Sequence, residues 1–504
     1  MSPAVRVAVV GAGISGLAGA HRLRTLLGPA AQITVLEQRD RIGGVLRTVD
    51  LAGVPFDVGA EAFLARRPEI PALLAELGLD DVLVHPTGAS ASIRAAGRTG
   101  PLPGATLLGV PTSAARLDAL LSAAGLAAVA AEPESPLRWE PGSDVALGRL
   151  LRTRFGAELP ARLVDPLLGG VYAGRVDALG LRPTVPALAA ALDAGAPSLT
   201  AAADRATAPP PRVGMERPAS REGTTPESGP AATGPGRGPA AGGPVFGAIR
   251  GGYGVLLGAL ARAAGADIRT QTTVRTLERR ERGWRLTLGP TTAPEVLDVD
   301  AVLLAVPAPA AARLLAATAP AASRAAGEIE LASSVVVALA FEPAAAATLP
   351  PTSGALIAAD EPLAVKGFTH STNKWAHLAP DGLVRLRASL GRFGEAPTLQ
   401  VDDAELVARV RADLAMLTGV TADPVAVVVQ RWGGGLPQYG VGHLDRVATL
   451  EGGLPAGLAV AGSALHGVGV PACVGTAREG AERLVADLTA SGTIGTWHAS
   501  TTPS

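Results

Sequence analysis

The chain has 504 residues and a formal net charge of -1, so its length allows more than one folding unit and its charge gives no case for nucleic-acid binding. Apolar residues make up 48% of it, enough for a large buried core. Cys473 is the one cysteine, which excludes an internal disulfide and a cysteine-based metal cluster and fits a reducing cytoplasm. Met1 to Arg6 lacks the charged start, apolar stretch and cleavage site of a signal peptide. Nothing approaches the roughly 18 apolar residues of a membrane-spanning helix.

Arg6 to Val10 is an apolar run that predicts a strand, followed at once by Gly11-Ala12-Gly13-Ile14-Ser15-Gly16. Leu17 to Leu27 then reads as a helix and Gln32 to Leu36 as a second strand, so an α/β unit opens the chain. The stretch 87–195 is rich in Ala and Leu and is expected to be mainly helical. Within it, Ala119 to Ala131 has the length of a buried helix, with a membrane-surface helix as the other reading. Residues 196–244 include Pro209-Pro210-Pro211 and Gly234-Pro235-Gly236 with few large apolar side chains, and are expected to form a disordered linker or loop.

Regular structure is expected to resume at Val245. Tyr253 to Ala264 reads as a helix; Asp267 to Thr270, Val274 to Glu278, Trp284 to Leu288 and Val302 to Val306 read as strands. Leu331 to Phe341 and Leu383 to Leu390 suggest a second sheet, and Asp403 to Leu417 an amphipathic helix. A last strand at Leu458 to Ala461 leads through a Gly-rich turn to a helix over Thr476 to Leu488.

In the opening motif each glycine has a physical task. Gly11 permits the tight turn, Gly13 lets backbone approach a pyrophosphate, and Gly16 lets the helix pack close to the strand. The helix N-terminus offers free N–H groups to phosphates. Glu37, 21 residues after Gly16, ends the second strand and can accept hydrogen bonds from a ribose diol.

The continuation Glu37-Gln38-Arg39-Asp40-Arg41-Ile42-Gly43-Gly44-Val45 resembles the extended fingerprint of the monoamine-oxidase-like flavoproteins, which points to FAD rather than NAD. Gly59-Ala60-Glu61-Ala62 continues that pattern. Later blocks narrow the resemblance. Leu163 to Gly174, Phe246 to Gly254, Thr372 to His377, Arg431-Trp432 with Leu436 to Tyr439, and Gly467 to Pro471 resemble the bacterial protoporphyrinogen and coproporphyrinogen oxidases, in family order. Ala472 stands where that family usually has an acid.

The resemblance implies a discontinuous Rossmann-like FAD-binding domain (1–86, 245–310 and 441–490), a mixed-sheet substrate domain (311–440), a helical insertion (87–195) and a disordered tail (491–504). It implies that Val274 meets the adenine, Trp432 sits near the flavin, and Val468, Gly469 and Val470 line the isoalloxazine at a helix N-terminus. Tyr172, Ala173 and Gly174 would place backbone beside a tetrapyrrole, the other reading being an ordinary tight turn. Arg66, Arg67 and Lys374 are candidates for propionate contacts, weighed against solvated or chance positions. His443 and His466 are read as turn residues, Cys473 as a packing residue, and no histidine spacing suggests a metal.

The implied reaction is six-electron oxidation of a porphyrinogen in three rounds, with flavin N5 taking hydride and dioxygen yielding hydrogen peroxide. No side-chain base is identified. The coproporphyrinogen III branch is expected. Arginine replaces lysine almost everywhere, as in high-GC Gram-positive bacteria, and no membrane anchor is expected. Protoporphyrinogen IX oxidase is the alternative; an amine oxidase and a non-catalytic flavoprotein are more distant ones. The expected compartment is the cytoplasm, with peripheral membrane association and contact with the next haem-pathway enzyme left open.

Overall fold

The computed structural model describes residues 4–208 and 244–494. The first strand, Arg6–Val10, is apolar at every position after Arg6 and lies at the centre of a parallel five-stranded sheet. The strand order is Asp267–Arg269, Gln32–Leu36, Arg6–Val10, Ala301–Leu304 and Leu458–Val460. Burial on both faces explains why Val7 to Val10, Ala301–Leu304 and Leu458–Val460 read as continuous apolar runs, whereas Asp267–Arg269 at the sheet edge is polar and partly exposed. The helices Ile14–Leu27, Tyr253–Ala264 and Val470–Ala490 cover one face. An antiparallel three-stranded sheet, Val274–Arg279, Trp284–Leu288 and Glu295–Val299, covers the other. Three distant stretches of chain therefore build one layered unit.

A second sheet has seven strands, ordered Ala426–Pro437, Leu331–Phe341, Val384–Leu390, Val365–Thr369, Gly354–Ile357, Ala91–Ala95 and Arg98–Pro101. Its pairs are antiparallel except Gly354–Ile357 beside Ala91–Ala95, so the sheet is mixed. The helix Asp403–Thr418 packs on one face. The other face meets the hairpin Thr48–Leu51 and Val54–Asp57 through Leu51, Phe56, Val58, Trp375 and Trp432.

The expectation of a mainly helical 87–195 is corrected at its start. Ala91–Ala95 and Arg98–Pro101 form the edge of the seven-stranded sheet, and short strands follow at Thr106–Leu107 and Val110–Pro111. The partner of Ala91–Ala95 is about 260 residues away, so local composition could not register it. Helices occupy the segment from Ala123 onward, around a core that includes Leu151, Phe155, Leu163 and Leu188.

The helix expected to be buried, Ala119 to Ala131, is also corrected. It spans Ala123–Ala131, and Gly125 is its one buried residue. Its alanines are apolar on every side but too small to demand a partner on every side, so only one edge is covered.

The expected linker 196–244 begins too early. Ser198 caps a helix, Leu199–Thr207, that buries Leu199, Ala202 and Ala203. A polar knot ties this helix to the insertion. Glu132, fully buried, accepts from the N–H groups of Leu199 (2.8 Å) and Thr200 (3.1 Å), from the Thr200 hydroxyl (2.7 Å) and from Arg154 (2.7 Å). Residues 209–243 and 495–504 of the expected linker and tail lie outside the described residues.

The boundary placed at 311 also shifts. The helix Pro320–Gly327 still packs on the parallel-sheet unit through Ala322, Ala325 and Ala326, and the chain crosses to the second sheet at Leu331. The last helix begins at Val470, six residues before the expected Thr476, because Pro471 in a first turn lacks only an N–H that has no helical partner there. Among the described residues, no helix is long and apolar enough to cross a membrane.

Candidate active site

Between the parallel-sheet unit and the inner face of the seven-stranded sheet lies a cavity of about 480 Å³. Its near end is built by the turn after the first strand. Gly11 has φ +101°, and a Cβ there would sit 2.4 Å from the Ala305 carbonyl oxygen. A Cβ on Gly16 would sit 1.8 Å from the Gly11 oxygen. These two glycines are demanded by the protein's own packing. Gly13 is different, because the nearest atom to a Cβ there is Gly44 Cα at 3.9 Å. Space is kept open at Gly13, as a pyrophosphate would require.

The helix that follows Gly13 has no side-chain cap, and neither has the helix that follows Gly469. Both N-termini open into the same cavity, so two positive dipole ends face it. Glu37 is 6% exposed and lines the cavity at the end of its strand. Its Oε2 accepts from Ala12 N–H at 2.9 Å and its Oε1 from Arg39 N–H at 2.9 Å, which leaves acceptor lone pairs for a diol. Gly43 and Gly44, at φ +105° and +59°, pass beside Gly13, and Arg41 holds that loop by donating to the carbonyls of Ile42, Gly44 and Leu46. A Cβ on Gly59 would lie 2.3 Å from the Val45 oxygen. Trp432 is fixed by its indole N–H, which donates to the Val58 carbonyl at 2.9 Å.

The structure brings together Gly11, Gly13, Ile14, Ser15, Glu37, Gln38, Gly44, Val45, Gly59, Ala60, Ala62, Val274, Trp432, Val468, Gly469 and Val470 around this one cavity. Ala12, Gly16 and Glu61 do not line it. An open backbone cradle, two uncapped helix ends and a carboxylate acceptor are the features a flavin dinucleotide would use, so the residues fit one.

The sequence-derived substrate candidates are placed differently. Arg66 and Arg67 are exposed outside the cavity, and Arg67 pairs with Glu69. Lys374 donates to Glu61 at 2.6 Å and lies over the rings of Phe246 and Trp375. Burial by itself would raise the Glu61 carboxyl, but Lys374 and then Arg387 hold it below the usual carboxylate range. Lys374 is thus a partner of the protein's own carboxylate.

Tyr172, Ala173 and Gly174 form a locked corner next to the cavity. The Tyr172 ring packs on Tyr439, and burial pushes its phenol up to about 12. Ala173 closes its helix at φ +49°, and its carbonyl accepts from Phe393 N–H at 2.6 Å. Gln438 donates to the Tyr172 carbonyl at 2.7 Å, and a Cβ on Gly174 would collide with that glutamine. Gly170 and Val171, less than a turn earlier, line the cavity instead.

Sequence reading missed the far wall of the cavity, formed by Ser334, Val336, Lys366, Arg387 and Ser389 on neighbouring strands of the seven-stranded sheet. Arg387 donates to the carbonyls of Asp57 (3.1 Å) and Gly59 (2.7 Å) and so braces the loop below. Lys366 is 7% exposed. The one available signal was its rarity, since Lys366 and Lys374 are the chain's two lysines.

His443 is buried, stacks on Tyr439 at 3.8 Å and bonds the Leu465 carbonyl; His466 pairs with Glu451. Cys473 is buried at the cavity wall, where burial pushes its thiol up to about 11. No cluster of potential metal ligands occurs among the described residues.

Comparison with known proteins agrees with this geometry. Residues 14–485 match the family of flavin-containing amine oxidoreductases. The coproporphyrinogen III oxidase of Mycobacterium tuberculosis is 46% identical over 472 residues, covering 93% of this chain and 95% of that protein. That of Mycobacterium leprae is 45% identical over 481 residues, covering 95% and 98%. A crystal structure from Exiguobacterium, described as a protoporphyrinogen oxidase, superposes with a TM-score of 0.79 at 28% identity, covering 97% of this chain and all of the other.

Proposed function

The chain belongs to the flavin-containing amine oxidoreductases, and within them to the coproporphyrinogen III oxidases, and on that premise we propose that it binds FAD and oxidises coproporphyrinogen III to coproporphyrin III. Dioxygen is the acceptor in this reading and hydrogen peroxide the second product. The observation that carries it is the continuous cavity, which joins a dinucleotide cradle at Gly13 and Glu37 to a wall of the seven-stranded sheet.

When bound, the flavin supplies a two-electron acceptor for the porphyrinogen, whose aromatisation needs three such oxidations. The protein's own residues bind and orient. Gly13 and Gly44 admit the pyrophosphate, and the uncapped helix at Ile14 stabilises its charge. Glu37 holds the ribose. The helix beginning at Val470 would present its positive end to the ring system and favour negative charge there. Gly170, Val171, Val336 and Leu436 give the cavity apolar surface against which a flat macrocycle can pack. The one carboxylate lining the cavity among the described residues is Glu37, at the ribose end, so protons released by pyrrole nitrogens pass to water.

The test uses purified protein. It should be yellow, release FAD on denaturation, and convert coproporphyrinogen III to a fluorescent porphyrin with peroxide formation. The specificity constant should be higher for coproporphyrinogen III than for protoporphyrinogen IX. Preference for protoporphyrinogen IX would overturn the substrate assignment, and absence of FAD would overturn the cofactor.

A further inference from the structure

Lys366 poses a physical problem. It lies on the strand Val365–Thr369, is 7% exposed and lines the cavity. Lys374 has a carboxylate partner, whereas no hydrogen bond or ion pair holds the Lys366 ammonium among the described residues. The charged groups nearest in effect are Arg392 and Arg387, which repel it, and Glu395, which attracts it. Glu395 is already engaged, accepting from the Arg175 side chain at 2.7 Å and from Arg392 N–H at 3.1 Å. Asp413 turns to the backbone of the same strand, accepting from Ala364 and Val365 N–H, and offers Lys366 nothing. A buried ammonium without a counter-ion destabilises a fold, so its presence calls for a ligand that supplies one.

Its place says which ligand. The dinucleotide's phosphates belong to the uncapped helix at Ile14 and its ribose to Glu37, on the parallel-sheet unit. Lys366 is on the opposite wall, on a strand that packs against the helix Asp165–Tyr172, which contributes Gly170 and Val171 to the same cavity. We propose that the Lys366 ammonium is the anion subsite of the substrate end of the cavity and holds a carboxylate of the bound tetrapyrrole. This rests on the porphyrinogen reading above and names the residue that recognises the substrate's charge.

Burial, with Arg392 adding to it, pushes the Lys366 ammonium down to about 8. A folded value below the unfolded one means that the folded state binds fewer protons. The contribution of this group to stability is therefore present above the unfolded value of 10.5 and is lost as pH falls through about 8. At neutral pH the charged, unpartnered Lys366 side chain is a net cost to folding, which a neutral side chain would remove.

The experiment compares flavin-loaded wild type, Lys366→Met and Lys366→Arg. Coproporphyrin III, with four carboxylates, and its uncharged tetramethyl ester are titrated by fluorescence quenching, and the ligand-free melting temperature is measured. Lys366→Met should weaken coproporphyrin III binding on the order of 30-fold, the scale expected when one partner of a buried charge pair is removed. The same variant should bind the ester as wild type does, keep its flavin, and melt no lower than wild type at pH 7. Lys366→Arg should recover part of the lost affinity. With coproporphyrinogen III, the variant's KM should rise more than its kcat falls.

Unchanged coproporphyrin III binding by Lys366→Met would overturn the proposal. So would parallel loss of acid and ester with a lower melting temperature, which is the mark of a structural lysine. Wild-type protein that neither binds coproporphyrin III nor oxidises coproporphyrinogen III would remove the substrate reading itself, a result visible before any substitution is made.

Discussion

At the scale of single residues, the three glycines of the opening motif are separable by what a Cβ would meet. Gly11 and Gly16 face backbone at distances no real side chain tolerates, so they serve the fold. Gly13 faces open space, so it serves a ligand. Gly13→Val should therefore fold with a melting temperature near that of the flavin-free wild type, yet retain about tenfold less FAD or worse, because the methyl groups occupy the pyrophosphate's approach. The ratio of flavin to protein absorbance after desalting measures this. Full FAD retention would mean that the phosphates bind elsewhere. The same residue-level reasoning separates the two lysines, one neutralised by Glu61 and the other free to face a ligand. Sequence could flag both as rare and could not rank them.

Among the elements, the helix Leu199–Thr207 shows how a polar contact fixes where a domain ends. Its composition, mostly alanine and threonine, resembles the Pro- and Gly-rich stretch that follows. What holds it is Glu132, 67 residues earlier, which accepts from its first N–H groups and from Arg154. A carboxylate at a helix N-terminus satisfies donors that the helix itself cannot. Glu132→Ala would leave the Arg154 guanidinium buried without its partner and two N–H groups without an acceptor. We expect a loss of about 3–5 kcal/mol, as for a broken buried pair. Glu132→Gln, which keeps an acceptor oxygen, should lose less. Urea unfolding followed by tryptophan fluorescence would measure both, and a Glu132→Ala variant within about 0.5 kcal/mol of wild type would show that the knot is not stabilising.

For the molecule as a whole, the cavity is assembled from parts that no single segment holds. Its walls come from the first 62 residues, the helix Asp165–Tyr172, residues 272–274 and 305–314, the seven-stranded sheet and the turn 461–470. A ligand spanning them couples the stability of the two sheets. FAD at about 1,000 times its Kd should add roughly 4 kcal/mol by mass action. A single, higher melting transition in the FAD-loaded protein than in the flavin-free one is the expected calorimetric result. Two transitions of which only one responds to FAD would show that the ligand contacts one sheet alone.

What the sequence determined by itself was local or order-preserving. The strand–turn–helix at Arg6 to Leu27, the acid at Glu37, and the near boundaries of strands such as Leu331–Phe341 depend on residues that are neighbours in the chain. Gly11, Gly13, Gly44, Gly59, Val274, Trp432 and Val468 to Val470 line one cavity. Tertiary structure decided what depends on distant partners. Ala91–Ala95 became a sheet edge because Gly354–Ile357 pairs with it, against the helical composition around it. Arg66, Arg67 and Lys374 could not be told from ligand contacts until their exposure and the position of Glu61 were known. Lys366 sits on a half-apolar strand whose pattern says nothing of a cavity. Its meaning comes from burial and from a missing counter-ion, and both are properties of the space between two sheets rather than of the residues beside it in the chain.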